Sequence, residues 1–312
     1  MRILTVAAAM LALSGVAHAA YPERPVKLIV PWAAGGDTDN IFRPFAQAFQ
    51  KHLGQTVVIA NVGGASGTVG AREARGAPAD GYTLFAVHDY IHLTYYTGVA
   101  DVTHTDFRPI CSVASTPSVL TASPKTKWQT VAELVADAKA RPGAISVGAT
   151  LGSTSHFFPA IFEKAAGIKL KYVSYDGLAQ RMNAILGGHI DLTDGNLTQK
   201  GKVEAGQLRF LAIATEKRSD EIPAVPTLKE LGFDVVYAVT RGLLAPKNTP
   251  EPVLAALDAA CAKAVVEAEF VKSMKVQGTD VLHLDRKAYG EFLTRVDGEN
   301  RTLAQELGLL RR

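Results

Sequence analysis

Two glycine-bearing loops, each flanked by hydroxyls or acids, are the parts of this sequence best suited to chemistry, and that chemistry is anion capture. The run Trp32-Ala33-Ala34-Gly35-Gly36-Asp37-Thr38-Asp39 follows an apolar stretch from Val26 to Val30. Gly35 and Gly36 permit close backbone approach. Asp37 or Thr38 is placed to cap a helix starting near Asp39, whose apolar positions Ile41, Phe45, Phe49 and Leu53 recur at helical spacing. The free amides of such a helix start, with the helix dipole, suit a carboxylate. Thr150-Leu151-Gly152-Ser153-Thr154-Ser155-His156, after the apolar run Ile145 to Ala149, repeats the device, and the hydroxyls of Ser153, Thr154 and Ser155 can cap a helix or bond an anion. A helix terminus stabilises a negative charge by about 0.3–1 kcal/mol, up to ~2 when partly buried. Micromolar binding needs about 8 kcal/mol, so capture requires both loops to face each other across a cleft. The plainer alternative at each loop is an ordinary strand-to-helix turn, with Ser153 to Ser155 as capping residues.

The elements that must position these loops alternate between strand and helix patterns, which predicts an α/β fold of open, mainly parallel sheets with helices on both faces. Strands are expected at Val26 to Val30, Thr56 to Ala60 and Tyr82 to Val87, with helices between them. A second unit carries strands at Ile145 to Ala149, Leu170 to Tyr175, Ile190 to Thr193 and Leu208 to Ala214. Pro109 to Val119 and Val235 to Leu244 read as two extended crossings between the units. They form a hinge, and the first domain is then built from both ends of the chain: residues 20–117 with 236–312, against 118–235 for the second.

The beginning of the sequence, Arg2 followed by an apolar run and Ser-Gly-Val-Ala-His-Ala-Ala, has the form of an export signal cut after Ala19. The expected location is the periplasm. Apolar residues make up 47% and charged residues 20% of the chain, enough to build cores, and a net charge of +3 without a basic stripe argues against a nucleic-acid partner. Cys111 and Cys261 are the only cysteines. Export permits a disulfide between them without requiring one, and their spacing fits no metal site. Catalysis finds little support. The run around Ser66, Gly-Ala-Ser-Gly-Thr, lacks the last glycine of a nucleophile elbow, and no His-Glu-x-x-His occurs. An exported hydrolase is therefore the weaker alternative, and no cofactor is expected.

Six motifs in order carry a resemblance. They are Tyr21-Pro22-Glu23-Arg24-Pro25 with Ile29-Val30-Pro31-Trp32-Ala33-Ala34-Gly35-Gly36, then Asp80-Gly81-Tyr82-Thr83-Leu84, Gly152-Ser153-Thr154-Ser155-His156, Pro226-Thr227-Leu228-Lys229-Glu230-Leu231-Gly232 and Gly242-Leu243-Leu244-Ala245-Pro246. Through them the chain resembles the Bug family, the extracytoplasmic solute-binding proteins of tripartite tricarboxylate transporters. The resemblance implies a two-domain periplasmic binding protein of the Venus flytrap kind, type II-like and monomeric, that holds a small organic acid and presents it to integral membrane transporter subunits. The same flytrap could instead serve a membrane sensor kinase.

Carried over by position, Ala33 to Asp39 hold one end of the ligand and Gly152 to His156 the other. Ser66, His88, Asp89, Tyr175, Asp176, Gly177, and Asp194 to Asn196 complete the wall. His156 bonds the ligand or braces its own helix. The sequence departs from the family pattern at Ser174, Asp176, Asp194 and Arg241, and Asp37 and Asp89 are more acidic than the usual residues. Carboxylates gathered in a pocket oppose a bare dianion, which predicts a ligand with a cationic or strongly donating group beside its carboxylate. On the other reading these aspartates cap helices or face solvent.

Overall fold

The computed structural model describes residues 21–312, so the expected signal segment and its cut after Ala19 lie outside the described residues. From the first half of the chain come β1 (Val26–Val30), α1 (Asp37–Leu53), β2 (Val57–Asn61), α2 (Thr68–Gly76), β3 (Thr83–His88), α3 (Tyr90–Tyr96), β4 (Phe107–Pro117), β5 (Val119–Ala122), α4 (Val131–Ala140), β6 (Ser146–Ala149) and α5 (Thr154–Ala166). The second half supplies β7 (Lys171–Ser174), α6 (Leu178–Gly187), β8 (Leu192–Gly195), α7 (Lys200–Glu204), β9 (Arg209–Ile213), β10 (Ala238–Pro246), α8 (Glu251–Ala264), α9 (Ala268–Val276), β11 (Asp280–Val281) and α10 (Arg286–Glu306).

Two sheets form, in the orders β11-β4-β10-β3-β1-β2 and β7-β6-β8-β5-β9. The expectation of mainly parallel sheets needs correction, because both are mixed. β1 pairs in parallel with β2 and β3, and β6 with β7 and β8, as strand–helix–strand crossover units require. The antiparallel pairs come from β4, β5 and β10. β4 leads the chain out of the first sheet and β10 brings it back, so neighbouring strands with opposite errands run in opposite directions. Where they meet the second lobe, Ser118 donates its amide to the carbonyl of Tyr237 at 3.0 Å.

Each sheet has its own core. In the first, Phe42, Phe45 and Phe49 recur along one face of α1 and are fully covered, and Phe45 meets Phe270 of α9 at 5.8 Å between ring centres. The second gathers Leu120, Val147, Phe158, Phe162, Leu192 and Leu211. Cys111 of β4 and Cys261 of α8 are joined by a disulfide, with Cα atoms 6.6 Å apart and both residues buried. This pins the helical tail to the outgoing crossing strand. Gly242 of β10 is required where the layers close, since a Cβ there would sit 2.5 Å from both the Cys111 carbonyl and the Tyr289 hydroxyl.

The sequence left residues 90–96 without an element, whereas the structure forms α3 there, buried on nearly every side by aromatic and apolar residues. The start of α1 also differs from expectation. The helix begins at Asp37 with Gly36 as its N-cap, and no side chain caps it. Asp37 and Thr38 are turned toward a cation instead.

Candidate functional site

The N-termini of α1, α5 and α6 converge on a cavity of about 50 Å³ between the two lobes. Its wall from the first lobe comprises Trp32, Gly36, Asp37, Thr38, His88, Val239 and Arg241. From the second lobe come Thr150, Ser153, Thr154, Ser155, Gly177, Leu178, Arg181 and Asp194. Each strand that reaches the cavity delivers its residue at or near its end, the usual place for a ligand site in open α/β sheets.

Two guanidinium groups dominate the electrostatics. Arg241 is 3% exposed and Arg181 is 5% exposed. Arg241 donates from Nη1 to Thr116 Oγ1 (2.7 Å) and the Val239 carbonyl (3.2 Å), and from Nε to Thr38 Oγ1 (3.5 Å). Its Nη2 lies 3.8 Å from Asp37 Oδ2. A register shift between Arg241 and Gly242 interrupts the β10–β4 ladder and re-aims the strand at this point. Arg181 donates from Nε to Thr193 Oγ1 (3.2 Å) and from Nη1 to Thr150 Oγ1 (3.0 Å). Burial lowers the proton affinity of both guanidinium groups, and the aspartates around them, Asp194 and Asp37 foremost, oppose it. Both remain cations at neutral pH.

The remaining polar groups are held by specific contacts. Thr150 Oγ1 accepts the Gly177 amide at 3.0 Å, and Ser155 Oγ accepts the Thr150 amide at 3.0 Å, so these two hydroxyls tie the loops before α5 and α6 together. Ser153 occupies the N-cap of α5 yet makes no side-chain capping bond. Capping alone therefore does not account for Ser153. His88 accepts the Tyr90 amide on Nδ1 (3.2 Å) and stacks on Trp32 at 5.6 Å between ring centres. Burial drives its proton affinity well below the usual histidine value, with the charges of Arg241 and Arg181 adding to the effect. The neutral ring then carries its proton on Nε2 and is a donor there. Burial pushes Asp194 up to about 7 against the pull of Arg181. The Oδ1 atoms of Asp37 and Asp194 and the Nε1 of Trp32 are buried with no partner among the described residues.

Ten of the residues singled out from the sequence line this cavity: Trp32, Gly36, Asp37, Thr38, His88, Ser153, Thr154, Ser155, Gly177 and Asp194. The others lie elsewhere for identifiable reasons. Ala33, Ala34 and Gly35 are exposed on the outer side of their loop. Asp39 is buried behind it, accepting from the Gly35 amide (2.8 Å), Arg43 Nε (2.8 Å) and Asn61 Nδ2 (2.9 Å). Burial alone would raise its pKa, but these bonds outweigh that and hold it below the ordinary value. Asp89 accepts the Thr240 amide at 2.9 Å and so braces β10, and burial pushes it up to about 6. Ser66 donates to the Leu151 carbonyl of the opposite lobe at 3.1 Å.

Gly152 and His156 form a local brace, with the Gly152 amide donating to His156 Nδ1 at 3.3 Å. Tyr175 packs beside α6 with Leu178 and Met182, and the Asp176 amide donates to Gln180 at 3.0 Å. Asn196 caps the turn after β8, accepting from the Thr198 amide at 3.0 Å. Apart from the cavity, His92, His104 and Asp297 come together, with His92 Nδ1 3.0 Å from Asp297 and the Tyr96 hydroxyl donating to the same carboxylate at 2.8 Å. Sequence spacing gave no sign of this cluster.

Sequence reasoning left Arg181, Thr150, Leu178 and Val239 out of the site, and marked Arg241 only as a departure from the family pattern. A signal for Arg181 existed: it falls three residues after Leu178 and four before Ile185, on the face of α6 that carries the buried apolar residues. Arg241 likewise stands in a strand whose neighbours from Val239 to Pro246 are all buried, and a charge at such a place calls for a partner.

Known proteins share this fold and much of this sequence. The family described as the tripartite tricarboxylate transporter family receptor matches residues 41–309. BugT of Bordetella pertussis is 33% identical over 283 residues, covering 86% of this chain and 87% of its own. A Cupriavidus necator protein encoded in the gbd 5' region is 31% identical, covering 93% and 89%. Among solved structures, the periplasmic binding protein BugD superposes with a TM-score of 0.88 at 30% identity, over 94% of this chain and 100% of that one. An R. palustris protein determined with adipate gives a TM-score of 0.87 at 29% identity, over 92% and 98%. With the two-lobed fold and the ordered sequence match in agreement, the chain belongs to the tripartite tricarboxylate transporter receptor family, as a Bug-type solute-binding protein with the Venus flytrap fold.

Proposed function

We propose that this protein is an exported receptor that captures a small carboxylate between its two lobes and delivers it to the membrane subunits of a tripartite tricarboxylate-type transporter. The observation that carries this reading is the pair of buried guanidinium groups, Arg181 from one lobe and Arg241 from the other, facing one cavity beside three helix N-termini. Buried cations not fully matched by hydrogen-bonded anions favour an incoming carboxylate, and charge-assisted bonds to it are each worth about 1.5–3 kcal/mol. Ser153 and Thr154 supply further donors from the second lobe. Residues 20–117 with 236–312 form one lobe and 118–235 the other, hinged at the two crossings, so ligand held by both biases the pair toward closure.

The adipate-bound relative supports the carboxylate class. No helix of the described residues is long and apolar enough to cross a membrane, in keeping with a receptor that meets its transporter as a separate subunit. A role in binding accords with the solute-binding relatives that the chain resembles.

Mass spectrometry of the ligand that co-purifies with the mature protein identifies the cargo. Replacing Ser153 and Thr154 together by alanine is expected to weaken its binding by about 1–3 kcal/mol, the cost of leaving a charged partner short of donors. Unchanged affinity would place the carboxylate elsewhere. Uptake of the identified acid by cells, abolished when this chain is removed, tests the transport step, and retained uptake with loss of a transcriptional response would favour the sensing alternative.

A further inference from the structure

The two lobes contribute matching sets of charges to the cavity. The first lobe offers Arg241 with Asp37, and the second offers Arg181 with Asp194. Two fixed cations thus face two carboxylates in a space of about 50 Å³. A pocket for a plain dianion has no use for the carboxylates, which repel it and hold neighbouring acids protonated. A buried site carrying net charge is also costly, because desolvation is not repaid without a partner.

The carboxylates are moreover incompletely used. Asp37 reaches Arg241 only through Oδ2, at 3.8 Å, which is an ion pair too long for a hydrogen bond. Its Oδ1, and the Oδ1 of Asp194, are buried without a partner among the described residues. Buried acceptors of this kind call for a donor. The ligand is the group that can bring one.

Resting on the carboxylate-capture reading, we propose that the cargo is a small zwitterion. Its carboxylate is taken by Arg181, Arg241 and the hydroxyls of α5, and its cationic nitrogen by Asp37 and Asp194. Such a ligand leaves the closed site with balanced charge, supplies donors to both orphaned oxygens, and fits a cavity far below the ~300–1,000 Å³ of drug-sized pockets. The simplest members of the class are short α-amino acids.

This assignment gives Asp194 a discriminating role. Burial sets it to titrate at about 7 in the ligand-free protein. A cationic nitrogen beside it favours the ionised form, so binding near neutral pH releases protons. A simple monoanion does the opposite and draws a proton onto Asp194. The direction of proton exchange separates the two ligand types without reference to affinity.

Titration calorimetry at pH 7, in two buffers of different ionisation enthalpy, tests this with ligands matched in skeleton: L-alanine against propionate, L-serine against lactate, and malonate and succinate as dianions. An amino acid is expected to bind at least ~10-fold more tightly than its nitrogen-free counterpart and than either dianion, with net proton release. D37N and D194N, checked as folded by thermal unfolding, should each cut that preference several-fold. Tighter binding of a nitrogen-free acid, or a preference unchanged in both variants, would overturn the zwitterion assignment while leaving carboxylate capture intact. If none of the acids binds, the capture reading falls, and this inference with it.

Discussion

Asp194 shows how strongly a single carboxyl responds to being enclosed. Burial raises it to about 7 from an ordinary value of 3.8. The folded protein therefore holds a proton on Asp194 over a range in which the unfolded chain has lost it. Where the native state binds more protons, stability falls as pH rises. The fall begins near pH 4, continues through about pH 7, and then levels off, amounting to a few kcal/mol at most. Asp194→Asn removes the titrating group, so its denaturation midpoint should change less than that of the unaltered protein between pH 4.5 and 8. Parallel profiles would show that Asp194 titrates normally. His88 contributes in the opposite sense, since a depressed histidine loses stability as pH falls through about 6.5.

The contrast between Asp37 and Asp39 explains what the sequence could and could not convey about such groups. Both follow the same glycine pair, and sequence position alone turns both toward the ligand. Helical geometry turns Asp39 inward, where Arg43 one turn later and Asn61 from β2 close around it. The partner at i+4 was legible in the sequence, and the one 22 residues away was not. The arginines' place in the site is not legible for the complementary reason, because a cation on an apolar face announces a buried partner without saying that the partner is a cavity.

The crossing strands and the helices that follow them were largely visible in advance. Apolar runs located β1, β3 and β6, and the two long extended segments marked the passage between lobes. Strand direction was not visible, because an antiparallel return strand has the same composition as a parallel one, and mixed sheets resulted where parallel ones were expected. Nor did periodicity reveal α3, whose aromatic sequence is covered on nearly every side. The Cys111–Cys261 bridge was chemically permitted and otherwise undetermined, since only the packing of α8 on β4 brings the two sulfurs together. Its sequence separation of 150 makes it a long-range constraint on the unfolded chain. Replacing both cysteines by serine is expected to lower the unfolding free energy by about 2–5 kcal/mol. Denaturant unfolding of the oxidised protein against the double variant measures this, and a difference below about 1 kcal/mol would mean that packing alone sets the stability of this layer.

The two lobes act together because the site belongs to neither. Around the cavity they touch through Ser66 and the Leu151 carbonyl, through Gly152 packed so closely on Thr97 that a Cβ would lie 2.5 Å from its hydroxyl, and through the apolar seam of Leu93, Tyr96, Phe157 and Ala304. The exposed Lys164–Glu306 pair at 3.0 Å adds little, as surface ion pairs do. Since each lobe brings one arginine, the proposed carboxylate would stabilise the closed pair more than either lobe alone, and the proposed delivery to membrane subunits rests on that difference. A crystal structure of the mature protein soaked with its tightest-binding small carboxylate tests this account most directly. It should show the carboxylate between Arg181 and Arg241, within hydrogen-bond reach of Ser153 or Thr154. Ligand seated instead in the outer groove between α5 and α10, beside His156, Lys164 and Tyr172, with the inter-lobe cavity unoccupied, would contradict it.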